Sequence, residues 1–596
     1  MRGQTIQTIV ADVRVSDLLE RLVITPRQVT DYHTLNSLLR NAFSGVRVHR
    51  SADGLWIAAE DVSALLDTEV AADLRWSAEA KLFAENRLRV RQRHQQLYEE
   101  VSTIRSEGQA IAKTYLTDID GLDVLDDHQW VNVAAMTLPE SYGLCVFDEQ
   151  GAGKTVTLIF AWDVLVARDR VDFALIVAPK SMVAEWPRDF ERFKGDLYKV
   201  EVVSGNRKQK RVAIGSGADV LVTNFETAAS MEEELRSLLR SYQGRAVLVV
   251  DESFYIKNLD TKRTQALRRL REWCGRAFVL CGTPAPNAPQ DLIQQFNIVD
   301  FGLTFDGVNI PDDRIQALPV VQQAIEHRGL FIRHLKTDVL PDLPVKSFNR
   351  VFVSLQPEQE RAYTAALKNL IIDLRFTDDE TFQRQLTSFL ARRSALIQIC
   401  SNPISVVEGY TEIPAKLIAL DSILEEAITQ RREKVVLWSF YTASLNAIAK
   451  RYSHFNPVRY DGTISDVAER REAVRKFQED DETMLFVANP AAAGAGLTLH
   501  RARLAIYESM SNQAAHYLQS LDRIHRRGQT RDVEYLILLC DKTIELEEYE
   551  RLTKKERAAQ ALLKDQVEEP ITRETMLREA IAASQRLGEG KEKAMT

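Results

Sequence analysis

Tyr142-Gly143-Leu144-Cys145-Val146-Phe147-Asp148-Glu149-Gln150-Gly151-Ala152-Gly153-Lys154-Thr155-Val156-Thr157-Leu158-Ile159-Phe160-Ala161-Trp162 runs from an apolar stretch of strand length, through a loop with two glycines, into an apolar stretch of helix length. A buried strand that turns through glycines straight into a helix presents the first backbone N–H groups of that helix to whatever lies in the turn. Gly151 and Gly153 have no side chains, so those N–H groups can approach a phosphate closely. Lys154 then reaches the outer phosphates, and the Thr155 hydroxyl joins the shell of a Mg²⁺ ion. Asp148 stands where the first glycine of the usual phosphate loop would be.

A second run points to the same chemistry. Arg245-Ala246-Val247-Leu248-Val249-Val250 is a buried-strand pattern that ends in Asp251-Glu252. It places two carboxylates at the carboxyl edge of a parallel sheet, where the ligands of such sheets bind. Asp251 is a candidate to hold Mg²⁺, and Glu252 a candidate to orient or deprotonate an attacking water.

Composition sets the frame. The 596 residues are 45% hydrophobic, and a prior of about 150 residues per domain gives about three or four domains. No run approaches the roughly 18 apolar residues of a membrane span, so no membrane role is expected. A cytoplasmic or nucleoid-associated setting is expected, nuclear if the chain is eukaryotic. Cys145, Cys274, Cys281, Cys400 and Cys540 show neither zinc-ligand nor disulfide spacing. The net charge of −8 argues against a surface coated for nucleic acid. It leaves room for local tracks: Arg87, Arg89, Arg91 and Arg93 on a helix, and Arg207-Lys208-Gln209-Lys210-Arg211 in a loop, each either a solvated face or a binding surface.

Along the chain, residues 1–82 carry a hairpin pattern, Val46 to His49 and Leu55 to Ile57 about a turn at Asp53-Gly54. They form a small α+β module suited to nucleic acid or to a protein partner. Residues 83–114 read as a charged helical connector. Strands and helices alternate over 115–309, lapse over a helical stretch at 310–410, and resume over 411–553; the strand candidates include Phe173 to Val177, Val220 to Val222, Ala246 to Val250 and Ala277 to Cys281. Residues 554–596 read as a charged helical tail.

Read together, these blocks resemble those of the Swi/Snf-type ATPases, a branch of helicase superfamily two, and in that family's order. Asp148 to Thr155 resembles its DExGxGKT loop, and Asp251 to Asn258 its DEAHxIKN block, with Ser253 and Phe254 in place of Ala and His. Leu175 to Ser181 with Trp186 resembles the block near the family's DNA track. Gly282-Thr283-Pro284 with Asn287 resembles its GTPxxN block, although Pro286 stands where many relatives have Gln. Gln129 resembles the glutamine that reads adenine. In the second half, Asp461-Gly462 with Arg470 and Phe477, and the turn from Ala492 to Leu499 with Gly496, match further blocks. Gln519, Asp522, Arg523, His525, Arg526, Gly528 and Gln529 match the QxxDRxHRxGQ block at every defining position. Ala493, Thr498 and the pair Gln513-Ala514 depart from the pattern, which implies a divergent branch, bacterial or viral.

The resemblance implies an α/β fold of two RecA-like parallel-sheet lobes with a helical insertion. It implies ATP and Mg²⁺, with Gln129, Gly151, Ala152, Gly153, Lys154, Thr155 and Gly496 around the nucleotide, and Thr155 and Asp251 at the metal. Glu252 and Lys154 would be catalytic. Arg523 and Arg526, three apart and expected on one helical face, would be fingers for the charge on the γ-phosphoryl. The partner implied is DNA, double-stranded, with translocation rather than unwinding. A strand-separating DNA or RNA helicase and an ATP-gated binding module in a larger complex remain open.

Overall fold

The structure is a computed structural model. It describes residues 11–17, 19, 21–42, 48–51, 54–58, 62, 65, 74–285, 288–464, 466–492, 497–510, 514–560 and 572–593. The chain divides into two compact units, Met1–Val339 and Leu340–Thr596. None of the helices in the described residues is long and apolar enough to cross a membrane.

The first unit begins with a five-stranded sheet in the order β3-β4-β2-β1-β5. Its strands are β1 (Ala11–Val15), β2 (Arg21–Pro26), β3 (His49–Ser51), β4 (Gly54–Ala58) and β5 (Leu74–Trp76). Alternate residues Ala11, Val13, Leu22, Ile24, Leu55 and Ile57 form one core with Leu35 and Leu39 of helix α1 (Tyr32–Ala42). A hairpin joins β3 and β4; of the expected first strand His49 lies in β3, while Val46, Arg47 and the turn residue Asp53 lie outside the described residues.

Helix α2 (Ala78–Glu107) is capped by the Ser77 hydroxyl, which accepts from the Ala80 N–H. It is more than a connector. Phe83 and Ala84 complete the core of the first sheet, while Asn86 and Arg87 reach Glu272, at 3.0 and 2.8 Å. Arg89 donates to Asn86, Arg91 pairs with Asp306 and Arg93 with Glu140. Of the four arginines read as a possible basic track, Arg87, Arg91 and Arg93 thus fasten the helix to the lobe behind it, while Arg89 bonds within the helix. Burial outweighs the Glu272 partner and lowers the Arg87 pKa.

The main sheet of this unit has seven strands in the order β12-β6-β11-β10-β7-β9-β8, all parallel. They are β6 (Gly143–Val146), β7 (Phe173–Ala178), β8 (Val200–Val202), β9 (Val220–Asn224), β10 (Ala246–Asp251), β11 (Arg276–Leu280) and β12 (Phe331–Ile332). Every residue of β6, β7 and β10 is buried, as expected for strands covered on both faces, which is why they read as unbroken apolar runs. The basic run at 207–211 is helical, within Arg207–Ile214, because Asn206 and Gln209 form a capping box. Arg207 and Arg211 of that helix both pair with Glu234.

In the second unit a six-stranded sheet runs in the order β13-β18-β17-β14-β16-β15, again all parallel. Its strands are β13 (Lys346–Val353), β14 (Val435–Trp438), β15 (Val458–Tyr460), β16 (Leu485–Ala488), β17 (Leu504–Tyr507) and β18 (Val533–Cys540). The stretch expected to be helical from 310 to 410 therefore contains two strands, one in each unit's sheet. A two-residue strand and a mostly exposed edge strand carry too little apolar alternation to announce themselves. The C-terminal helix Arg573–Lys593 is not a loose tail, since Met576, Ala580 and Ala583 are buried against Tyr363, Leu367, Leu370 and Leu374 of the helix Pro357–Phe376.

One buried cation ties the floor of the first unit's main sheet. Arg271, 1% exposed, donates to the carbonyls of Ile298 (2.7 Å), Cys274 (2.5 Å), Tyr142 (3.0 Å) and Val299 (3.2 Å). Burial pulls its pKa down to about 10. Arg271→Met leaves those acceptors without a donor, at a cost on the order of 3 kcal/mol. A lowered urea midpoint for the first unit is the expected result, and an unchanged midpoint would refute this role.

Candidate functional site

The loop after β6 is held from beneath by the carboxylate of Asp148, which is wholly buried. It accepts from Asn132 Nδ2 at 2.6 Å and from the His334 backbone N–H at 2.9 Å, and His334 Nδ1 lies 2.8 Å away. Asn132 belongs to helix α3 (Asp127–Met136), and His334 follows β12. Arg333 donates to the Phe147 carbonyl, and the Lys336 N–H to Glu149 Oε2. The aspartate in the place of the missing glycine is therefore a fastening point between the loop and two other elements.

Above it the chain turns through Gly151 at φ +88° and Gly153 at φ +86°, and helix α4 (Lys154–Ala167) opens directly from Gly153. Only glycine takes those left-handed angles without strain, and a Cβ on Gly153 would stand 2.4 Å from Gln129 Nε2. Lys154 Nζ folds back over the loop to the carbonyls of Asp148 (2.8 Å) and Glu149 (3.4 Å). Thr155 is the second residue of α4. A second amine lies beside the loop: a Cβ on Gly151 would meet Lys336 Nζ at 3.2 Å. His128 Nε2 is 2.7 Å from the Ala152 carbonyl. Gln129 accepts from the Asp126 N–H and donates to the Gly153 carbonyl at 3.3 Å, so its amide is committed to the loop.

Two further loops meet this one, because β11 lies beside β6 and β10 beside β11 with their carboxyl ends at the same edge. Asp251 closes β10, and Glu252 follows in the left-handed region at φ +50°, a conformation that stores strain. Gln150 Nε2 donates to Glu252 Oε1 at 3.2 Å, and Gly282 lies so close to Gln150 that a Cβ there would be 3.0 Å from its nitrogen. Ser253 Oγ donates to Gln295 at 2.5 Å, and Gln295 Nε2 donates to the Pro284 carbonyl at 2.5 Å. Ser253 thus ties the loop after β10 to the loop after β11. Pro286 and Asn287 of that second loop lie outside the described residues.

Trp186, 1% exposed, donates from Nε1 to Asp251 Oδ2 at 3.3 Å, so it braces the carboxylate. Burial first, and then the Glu252 charge, push the Asp251 carboxyl up to about 7, while Lys154 acts in the other direction. Glu252 Oε2 is buried with no hydrogen-bond partner. Two adjacent buried carboxylates, one raised and one with an idle oxygen, match the demand for a divalent cation, and Asp251 and Thr155 are the oxygen donors on offer.

In the second unit the helix Ala514–Leu521 stops before the arginines, so Arg523 and Arg526 do not share a helical face. Gln529 is the reason. Its amide donates to the carbonyls of His500, Ala502 and Ile524, which draws the backbone into a turn. The turn still brings the two guanidinium groups together: Arg523 NH1 is 3.4 Å and Arg526 NH1 3.3 Å from the Leu497 carbonyl. Arg526 also donates to Thr498 Oγ1 at 2.7 Å, a contact made by the residue that departs from the expected Asn. Gly496 and Gln513 lie outside the described residues.

Sequence reasoning missed Asn132, Gln150, His334 and Lys336. The signal for the last two was the short apolar run Leu330-Phe331-Ile332 just ahead of them.

A model of the SNF2-related domain matches residues 90–405, more than half of the chain, and one of the helicase conserved C-terminal domain matches residues 415–528. Similar curated proteins include the DNA repair and recombination protein RAD54-like of Gallus gallus, 26% identical over 504 residues, covering 73% of this chain and 66% of that protein. Another is the putative ATP-dependent helicase/translocase YwqA of Bacillus subtilis (strain 168), 29% identical over 427 residues, covering 68% and 45%. The chain thus spans less than two thirds of the length of these relatives. Among solved structures, the Sulfolobus solfataricus SWI2/SNF2 ATPase core in complex with dsDNA aligns at 21% identity over 74% of this chain and 94% of that one, with a TM-score of 0.35.

The raised Asp251 carboxyl has a consequence for stability. Its folded pKa of about 7 exceeds the ordinary 3.8, so its contribution is fully present below 3.8 and is lost as pH rises through about 7. Asp251→Asn removes that loss. The melting temperature of the metal-free variant is expected to exceed the parent's at pH 8, with the gap narrowing toward pH 5. A gap independent of pH would contradict the assignment.

Proposed function

The chain belongs to the SNF2-related domain family, and from that premise we propose that it hydrolyses ATP and couples each cycle to movement along double-stranded DNA. The observation that carries the first half is the meeting of three loops at one sheet edge, with a glycine cradle on one and two buried carboxylates on another. The N–H groups that open α4 and the amines of Lys154 and Lys336 suit a triphosphate. Bound Mg²⁺, held by Asp251 and Thr155, supplies charge neutralisation at the outer phosphates.

Glu252 orients and deprotonates the attacking water through the carboxylate oxygen that has no other partner. Gln150, bonded to the other oxygen of Glu252 and packed on Gly282, carries the state of the nucleotide to the loop after β11. Arg523 and Arg526 take the negative charge that develops on the γ-phosphoryl, a role supported by two guanidinium groups held at one carbonyl and by the family. The DNA half of the proposal draws on family membership and on relatives named for DNA repair and for translocation.

Glu252→Gln is expected to lower turnover by about 10²–10⁴-fold while leaving nucleotide binding in place. Arg526→Ala is expected to lower it by about 10³-fold or more, again without loss of binding. Lys154→Ala weakens both. Steady-state phosphate release set beside binding of a fluorescent ATP analogue checks all three. Parental turnover in Glu252→Gln or Arg526→Ala would overturn the assignment of roles.

A further inference from the structure

The backbone at Glu252 sits at φ +50° and ψ 55°, a left-handed conformation that a residue with a side chain keeps only when its surroundings fix it. On one side Asp251 Oδ1 accepts the Glu252 N–H at 2.9 Å. On the other comes Ser253, 0% exposed, whose hydroxyl donates to Gln295 Oε1 at 2.5 Å. Ser253 stands where the family's block has Ala, a residue with no hydroxyl to give.

Gln295, also wholly buried, is the third residue of the helix Ile293–Asp300. Its Nε2 donates to the carbonyls of Pro284 at 2.5 Å and Asp291 at 2.8 Å. Carbonyls only accept, so the amine must face those two and Oε1 must face the Ser253 hydroxyl; the partners fix which way the amide points. The helix behind it is anchored in turn. Phe296 meets Phe147, the residue after β6, edge-on at 5.8 Å between centroids, and Phe331 of β12 at 6.3 Å. Arg271 holds the carbonyls of Ile298 and Val299. A continuous set of buried contacts therefore runs from the main sheet through Gln295 and Ser253 to the backbone of Glu252.

Resting on the role of Glu252 proposed above, we infer that Gln295 acts through Ser253 as a positioning residue for that carboxylate. Gln150 fixes the Glu252 side chain by one oxygen, and Gln295 fixes its backbone. A carboxylate that must meet one water from one direction tolerates little displacement, and a misplacement of about 1 Å costs about 10²-fold in rate. Without the Ser253 clamp, the peptide after Glu252 is free to turn toward an unstrained angle, and the idle oxygen Oε2 swings with it. Nucleotide binding draws on other groups, the glycine cradle and Lys154, so the loss falls on turnover.

The test is steady-state phosphate release by the full chain with Mg²⁺ and double-stranded DNA, set beside affinity for a fluorescent ATP analogue and the melting temperature. Ser253→Ala and Gln295→Leu are each expected to lower kcat about tenfold to 10²-fold, with analogue affinity within about twofold of the parent's. Ser253→Ala combined with Gln295→Leu removes donor and acceptor together, so its melting temperature is expected at or above that of Gln295→Leu alone, while kcat stays low. The most direct arm is Glu252→Gln. In that background Gln295→Leu is expected to lower kcat no further, because a residue that acts through Glu252 has nothing left to position. A further loss there, recovery of kcat in the paired variant, or parental kcat in both single variants would overturn the inference. A parent chain without turnover, or Glu252→Gln at the parental rate, would overturn the role of Glu252 on which it rests.

Discussion

A single buried carboxylate sets the position of everything at the nucleotide edge. Asp148 has no exposure, and such a group is tolerated inside a protein only when its oxygens are matched by donors. Asn132 and His334 supply them, one from the helix ahead of the loop and one from the chain after β12, so the loop, the helix and the last strand of the sheet are fixed as a set. Loss of the Asn132 donor leaves one carboxylate oxygen of Asp148 buried without that partner. The glycines can then adopt left-handed angles in a loop whose ends are anchored.

From that anchor a chain of contacts crosses the sheet edge. Glu149 and Gln150, next in sequence, reach the Lys336 N–H and Glu252. Gln150 packs on Gly282, and Ser253 and Gln295 join the loops after β10 and β11 by a second route. A shift in any of the three loops is therefore felt by the other two. Electrostatics add a direction: Asp251 and Glu252 are adjacent and buried, so the charge of one disfavours the charge of the other, and a cation held there would relieve that conflict. Strain that is relieved only by the bound state is a plain way for a protein to make ligand binding do conformational work.

Much of this was legible in the residues. Parallel strands buried on both faces announce themselves as unbroken apolar runs, so β6, β7, β9, β10 and β11 were found to within two residues at each end. Gly151, Gly153, Lys154 and the pair Asp251-Glu252 were singled out because the chemistry of phosphate and metal restricts residue type. What stayed hidden depends on distant partners. Nothing local marks Arg87 as the mate of Glu272, or Asp148 as the mate of His334. The helical face expected for Arg523 and Arg526 gave way to a turn because one glutamine, Gln529, binds three carbonyls, a tertiary effect that spacing cannot reveal. β12 and β13 were missed because one is very short and the other mostly exposed.

The claim at the centre of this account is that ATP turnover at the β6, β10 and β11 loops is governed by DNA. Steady-state ATP hydrolysis by the unmodified chain, measured with Mg²⁺ against single-stranded, double-stranded and branched DNA and RNA, addresses it directly. Turnover that rises most with double-stranded DNA is the predicted result. A rate that no nucleic acid changes, or one raised by RNA alone, would contradict it.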